Sequence, residues 1–189
     1  MKTKLGLGLL GLAIACQLAA PASMILKRER VLAHGQAFKF RTAPVDPYDA
    51  FRGRYVALGF DQRSLAAPSG HDFARGQTVH AVLVEDAEGF ATFAGLRRDR
   101  PETEPYLTAK IQYVGGDMVH LRLPFDRFYM DENEAPAAEQ AYRQNGARSN
   151  RNAFIQVRIE KGFGVIEDLY VDNTPIRDYL DRNPAASPR

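Results

Sequence analysis

The chain has 189 residues, 45% of them hydrophobic and 25% charged, which suits one globular domain and excludes a disordered tail, a coiled coil or a polytopic membrane protein. Lys+Arg number 25 against 23 Asp+Glu, a formal charge of +2 with the basic residues scattered among acidic ones, so no stripe exists to hold nucleic acid. One cysteine cannot close an internal disulfide, and four dispersed histidines offer no zinc-ligand spacing; neither a metal nor a cofactor is expected.

The first element is a membrane-length helix. After Lys2 and Lys4 the chain runs from Leu5 to Leu26 without a formal charge, 22 residues, and a bilayer core of about 30 Å needs roughly 20 helical residues. Three fates are open. The segment stays as a signal anchor (residues 1–30) with Lys27, Arg28, Glu29 and Arg30 as its polar flank; it is cleaved at Ala20-Pro21-Ala22, a small-x-small site followed by Ser23; or Cys16 is lipidated, against which stand Ala13 in the usual leucine position and the apolar run beyond. A four-residue N-terminal tail and a cysteine-free main domain favour an inside N-terminus and an exported domain (residues 31–180). Gly11, Ala15 and Ala19 recur every four residues, a small-residue stripe that lets a second membrane helix approach.

From Val31 onward short apolar or alternating runs are punctuated by Gly, Pro, Asp and Asn, the pattern of a mainly β domain. Strands are predicted over Gln36–Arg41, Arg54–Phe60, Thr78–Glu85, Phe90–Leu96, Leu107–Val114, Met118–Leu123, Ala153–Glu160 and Gly164–Val171. Glycines at Gly89, Gly115-Gly116 and Gly162 supply the hairpin turns. One helical turn is expected at Asp46–Phe51 and one full helix at Asn133–Gln144, capped by Asn133 or Glu134 and stopped by Asn145-Gly146 in a left-handed conformation. Residues 181–189 read as a frayed tail. The sum is a curled antiparallel sheet or small barrel with one helix, behind an N-terminal transmembrane helix.

Chemistry-bearing side chains concentrate between Asp46 and Phe60: Asp46, Pro47 and Asp49, then Arg52, Gly53, Arg54 and Tyr55, with Leu58 and Phe60 beyond. On a strand from Arg54, Tyr55 and Ala57 face one side while Val56, Leu58 and Phe60 face the other. Asp capping a turn and Arg bracing it is the structural reading; a carboxylate dyad is the functional one. Gly53 to Phe60, GRYVALGF, resembles the GDYXXLXY motif that names a family of bacterial membrane-anchored proteins, and the preceding PVDPYDAFR is similar to the family pattern. Arg54 stands where the motif has Asp, reversing a charge, which favours a structural role for the motif, and Phe60 stands where it ends in Tyr, a mild change. Arg127-Phe128-Tyr129-Met130-Asp131-Glu132 resembles a second family signature, with Glu139 seven residues on. The resemblance implies a bacterial membrane-anchored protein; the expected location is the inner membrane, single-pass, with the main domain periplasmic or extracytoplasmic.

Glu132 and Glu139, with Asp49, are the weak candidates for catalysis, because paired carboxylates serve glycoside hydrolysis. Two helical turns separate Glu132 from Glu139, roughly 10.5 Å of rise, and Glu139 four residues before Arg143 reads equally as a helix-surface ion pair. Ser64, Ser69 and Ser149 lie in no nucleophile motif, His71-Asp72 reads as a solvated loop pair, and His80 and His120 fall in strands. The expected role is non-catalytic: an accessory domain whose two motif segments, with Arg52, Arg54 and Arg127 as planar donors and Tyr129 beside them, bind a polytopic membrane-protein partner. An envelope hydrolase using paired carboxylates is the alternative, and a small-molecule-binding barrel a third.

Overall fold

A computed structural model describes residues 2–44, 55–60, 63–67, 71–146 and 152–183, with side-chain environments from Leu10 onward. Helix α1 (Lys2–His34) runs unbroken through Pro21, whose missing N–H leaves one helical bond unmade. Leu10, Leu12, Ile14, Leu18, Met24, Ile25 and Leu26 are all exposed. A helix that is apolar and uncovered all round is suited to lipid rather than water. Residues Leu10–His34 are long and apolar enough to cross a membrane, alone among the helices of the described residues.

Among the described residues eleven strands and two more helices come after it. In chain order they are β1 (Gln36–Pro44), β2 (Tyr55–Phe60), β3 (Ser64–Ala66), β4 (Thr78–Glu85), β5 (Ala91–Arg97), β6 (Tyr106–Gly115), β7 (Met118–Arg122), β8 (Arg127–Tyr129), α2 (Ala135–Gly146), β9 (Ala153–Glu160), β10 (Phe163–Val171), β11 (Thr174–Pro175) and α3 (Ile176–Arg182). They form two curled sheets, of order β11-β10-β9-β1-β2-β8 and β3-β7-β6-β4-β5, in which every ladder is antiparallel. The fold is mainly β, as the residue pattern predicts. All eight predicted strands are present within three residues at either end; β3, β8 and β11 are too short to leave a periodic signal.

Alternation drives the core. Phe38 and Phe40 of β1, Val56, Leu58 and Phe60 of β2, and Ile155, Val157 and Ile159 of β9 point inward from the larger sheet. Val79, Ala81 and Leu83 of β4, Leu107, Ala109 and Ile111 of β6, and Val119 and Leu121 of β7 do so from the smaller. Three register shifts interrupt the period, between Val82 and Leu83 opposite β5, between Ile111 and Tyr113 in β6, and between Ile166 and Asp168 in β10. Each leaves one residue out of pairing, flips the phase of the remaining strand and bends the sheet. That bending lets the larger sheet curl until β8, at one end, comes near β10, close to the other.

The helices differ from expectation in two details. Helix α2 begins at Ala135 as expected, with Glu134 just before it accepting from the Ala138 amide at 2.9 Å, and Asp131 braces the turn ahead, its Oδ1 accepting from the Asn133 amide at 2.9 Å. Asn145 and Gly146 are not a left-handed stop; both belong to α2, and the buried Asn145 side chain donates back to the Ala141 carbonyl at 2.9 Å. Helix α3 is a second helix of the β domain and carries Asp181 and Arg182, which the sequence assigns to the tail, because buried Ile176 and half-buried Tyr179 and Leu180 give it an apolar face on the core. The predicted turn at Asp46–Phe51 lies outside the described residues.

One residue joins α1 to the sheet. Val31, in the last turn of α1, is buried, Gly35 donates its amide to the Val31 carbonyl at 2.8 Å, and β1 starts at Gln36. A Cβ on Gly35 would lie 2.5 Å from the Val31 carbonyl oxygen and 3.0 Å from the Ile159 nitrogen, both backbone atoms that cannot swing away. Arg30 pairs with Glu160 at 3.3 Å and Lys27 sits 4.1 Å over the Phe163 ring, so the hairpin β9–β10 grips the same end of α1. Gly35→Ala is expected to cost about 1–3 kcal/mol through overpacking and to increase proteolysis between residues 30 and 40; a thermal melt and a cleavage map equal to the native ones would refute this close fit.

Candidate functional site: the paired motif strands and the groove at the base of the helix

The two family-like segments are neighbours. Strand β8 pairs antiparallel with β2, Tyr55 opposite Tyr129, Val56 opposite Phe128 and Ala57 opposite Arg127, and the Leu58 amide extends the ladder by donating to the Asp126 carbonyl at 2.9 Å. The Arg127–Glu132 segment, over which no strand is predicted, is therefore a strand through Tyr129. The two faces of this pair do different work. Val56, Leu58 and Phe60 are buried, so the motif's Leu and final aromatic are core residues. Tyr55, Arg127 and Tyr129 lie on the opposite face, where the Arg127 guanidinium sits 4.8 Å from the Tyr55 ring centre and the Tyr55 and Tyr129 rings are 5.9 Å apart. Tyr129 is 64% exposed. Its hydrogen-bonding contact, followed by the Asp126 carboxylate, raises the Arg127 pKa above the ordinary guanidinium value and holds the charge in place.

Where the curl brings β8 toward β10, a groove of about 720 Å³ opens. Its walls are Asp126, Arg127, Phe128 and Tyr129 on one side and Phe163 to Asp168 on the other; Met24, Lys27 and Arg28 of α1 and Arg177 of α3 close it. A second groove of about 410 Å³, lined by Leu58, Arg63, Arg122 and Phe125 among others, lies against the other flank of Asp126 and Arg127.

Glu167 and Asp168 were not singled out by sequence reasoning, yet they form one wall. Glu167 is the residue left unpaired at the β10 bulge. Arg158 of β9 grips its carboxylate with two donors, at 2.7 and 3.0 Å, and the Gln156 amide donates at 2.6 Å; the Arg158 hydrogen bond, the largest influence, holds the Glu167 pKa below the usual carboxylate range. Asp168 is half-buried and accepts from the Leu169 amide at 2.7 Å; burial pushes its pKa up. The available signal was two adjacent acids inside an apolar strand, Ile166-Glu167-Asp168-Leu169, a break in alternation that a bulge resolves.

Two of the three catalytic candidates are elsewhere. Glu139 pairs with Arg143 on α2 at 3.5 Å, and Glu132 lies in the turn before α2; neither lines the groove between β8 and β10. Asp46, Pro47, Asp49, Arg52, Gly53 and Arg54 lie outside the described residues. His80 is buried with Nδ1 3.1 Å from the Thr108 hydroxyl and its ring edge-on to Tyr106, and desolvation, reinforced by Arg100, lowers its pKa. His120 stacks on Tyr113 at 4.0 Å, and His71 stacks on Phe73 while Asp72 pairs with Arg98. Among the described residues no three His, Cys, Asp or Glu side chains gather as metal ligands.

These features define a class: a curled two-sheet β domain seated directly on one membrane-length helix, with an exposed arginine and tyrosine, Arg127 and Tyr129, beside the helix base. The chain belongs to the GDYXXLXY protein family, whose model matches residues 17–169, from the middle of α1 to Leu169 of β10. No curated protein and no solved structure matches the chain.

Proposed function

We propose that this is a single-pass protein of the bacterial inner membrane whose β domain lies on the periplasmic side and serves, without catalysis, as an accessory domain binding a polytopic membrane protein. Retention of α1 as a signal anchor is part of this reading, with the small-residue stripe Gly11, Ala15, Ala19 available to a partner helix. The observation that carries it is the pairing of β2 with β8. Two segments 74 residues apart, Tyr55 to Tyr129, are joined into a ladder that displays an arginine flanked by tyrosines, the side chains that most often anchor protein interfaces. Val31 and Gly35 hold that ladder at a fixed position relative to α1, so it meets a neighbour in the same membrane at constant height. Asp46, Pro47, Asp49, Arg52, Gly53 and Arg54, which precede Tyr55 in the chain, belong to the same binding segment in this reading. Glu139 in its ion pair with Arg143, away from the groove, gives the paired-carboxylate hydrolase no support.

Affinity purification of the full-length protein from detergent-solubilised membranes tests this reading. A membrane protein is expected to co-purify with the native chain and to be reduced at least tenfold by Arg127→Glu, as for an interface hot spot. Identical co-purifying species from native and variant chains would count against the ladder as the binding surface.

A further inference from the structure

The groove at the base of α1 is built at a particular depth. The apolar run of α1 ends at Leu26, and Met24, Lys27 and Arg28 line the groove. With α1 across a bilayer, its opening falls in the headgroup layer, where long basic side chains settle their charges.

The lining carries both signs of charge. Lys27, Arg28, Arg127 and Arg177 face Asp126, Glu167 and Asp168. Several of these are satisfied within the protein: Lys27 sits over Phe163, Arg127 is 3.7 Å from Asp126 and stacked on Tyr55, and Glu167 is clamped by Arg158. Arg28 and Arg177 form no salt bridge among the described residues. Asp168 has, among the same residues, the Leu169 amide as its hydrogen-bond donor, with Arg177 near enough to act on its charge. Two guanidiniums and one half-buried carboxylate complement a ligand bearing both an anion and a hydrogen-bonding cation better than a bare anion. A guanidinium meets phosphate with paired donors, and a half-buried carboxylate gains a partner from a primary ammonium. Met24, Phe128, Val165 and Ile166 give the groove an apolar wall for a glycerol backbone, and its volume lies within the range of small-molecule sites.

We propose that this groove binds the headgroup of a phospholipid with a primary ammonium, its phosphate held by Arg28 and Arg177 and its ammonium by Asp168. The inference rests on α1 spanning a bilayer, as the proposed function holds; the groove shares Arg127, Phe128 and Tyr129 with the β2–β8 ladder, while the residues assigned to the headgroup, Arg28, Arg177 and Asp168, lie outside that ladder.

Native mass spectrometry of the full-length protein in detergent, offered equal amounts of phosphatidylethanolamine, phosphatidylcholine and phosphatidylglycerol, tests it. The native chain is expected to retain one phosphatidylethanolamine with a preference of about tenfold over the other two, the size of one hydrogen bond to a charged group. Asp168→Asn is expected to abolish the preference over phosphatidylcholine while leaving lipid bound. Arg28→Gln, on the exposed surface of α1 where it cannot unfold the sheets, is expected to lower retention of all three. Equal retention of the three lipids by the native chain, preference for phosphatidylglycerol, or indifference to both substitutions overturns the proposal. Displacement of the lipid by equimolar soluble phosphoethanolamine overturns it too, because the site would then belong to a free phosphate ester. A chain found in the aqueous fraction without detergent instead sinks the membrane-span reading on which the inference stands.

Discussion

Phe40→Ala is expected to lower stability by about 3–5 kcal/mol, the cost of emptying a buried aromatic site, against a total of roughly 5–15 kcal/mol for a domain. Phe40 of β1 is 4% exposed, and its ring meets Phe60 at 6.4 Å, Phe93 at 6.3 Å and Phe125 at 5.5 Å. Phe93 belongs to the smaller sheet, and Phe125 lies in the link from β7 to β8, so one side chain joins both sheets to the motif strands. Denaturant unfolding followed by far-ultraviolet circular dichroism measures the effect, and the melting temperature should fall by on the order of 10 °C. Tyr129→Ala on the exposed face of the same site is the control, with an expected change within about 0.5 kcal/mol. Equal losses in the two variants would erase the division of the motif pair into a core face and a binding face.

The second large effect belongs to Gly162. Its φ is +79°, in the left-handed region, and a Cβ there would lie 2.3 Å from Cε2 of Tyr106 and 2.4 Å from the Thr108 hydroxyl. The close approach has a purpose: the Thr108 amide donates to the Gly162 carbonyl at 2.9 Å, and Leu107 bridges Gly162 in the one parallel bridge among the described residues, which staples β6 of the smaller sheet to the β9–β10 hairpin. Gly162→Val combines an unfavourable backbone with overpacking, about 3 kcal/mol in all. Lys161 in the same turn also has positive φ, at 50°, but is exposed. Lys161→Gly is therefore expected to be neutral or stabilising by up to about 1 kcal/mol. Gly162→Val unfolding at the native midpoint would show that the sheets do not depend on this staple.

Much of the architecture was legible in the residues because it depends on local periodicity. An uncharged run to Leu26 specifies a helix suited to lipid regardless of the domain beyond it, and strands such as Thr78–Glu85 and Ala153–Glu160 carry enough alternation and β-branching to declare themselves. Turn glycines do the same, since the left-handed φ at Gly89, Gly116 and Gly162 is a property of single residues. Even the split of Tyr55 from Val56, Leu58 and Phe60 comes from the two-residue period alone.

Tertiary structure alone decided what those elements do together. A three-residue strand such as Arg127–Tyr129 has no period to read and exists because β2 supplies its hydrogen bonds; α3 exists because the core receives Ile176. Register shifts at β5, β6 and β10 change which face a side chain takes by one unpaired residue, a choice made by packing between sheets. The groove is the sum of such choices, since only the curl of the sheet brings Arg127, Asp168 and the base of α1 to one opening, and curvature is written in no single stretch of chain.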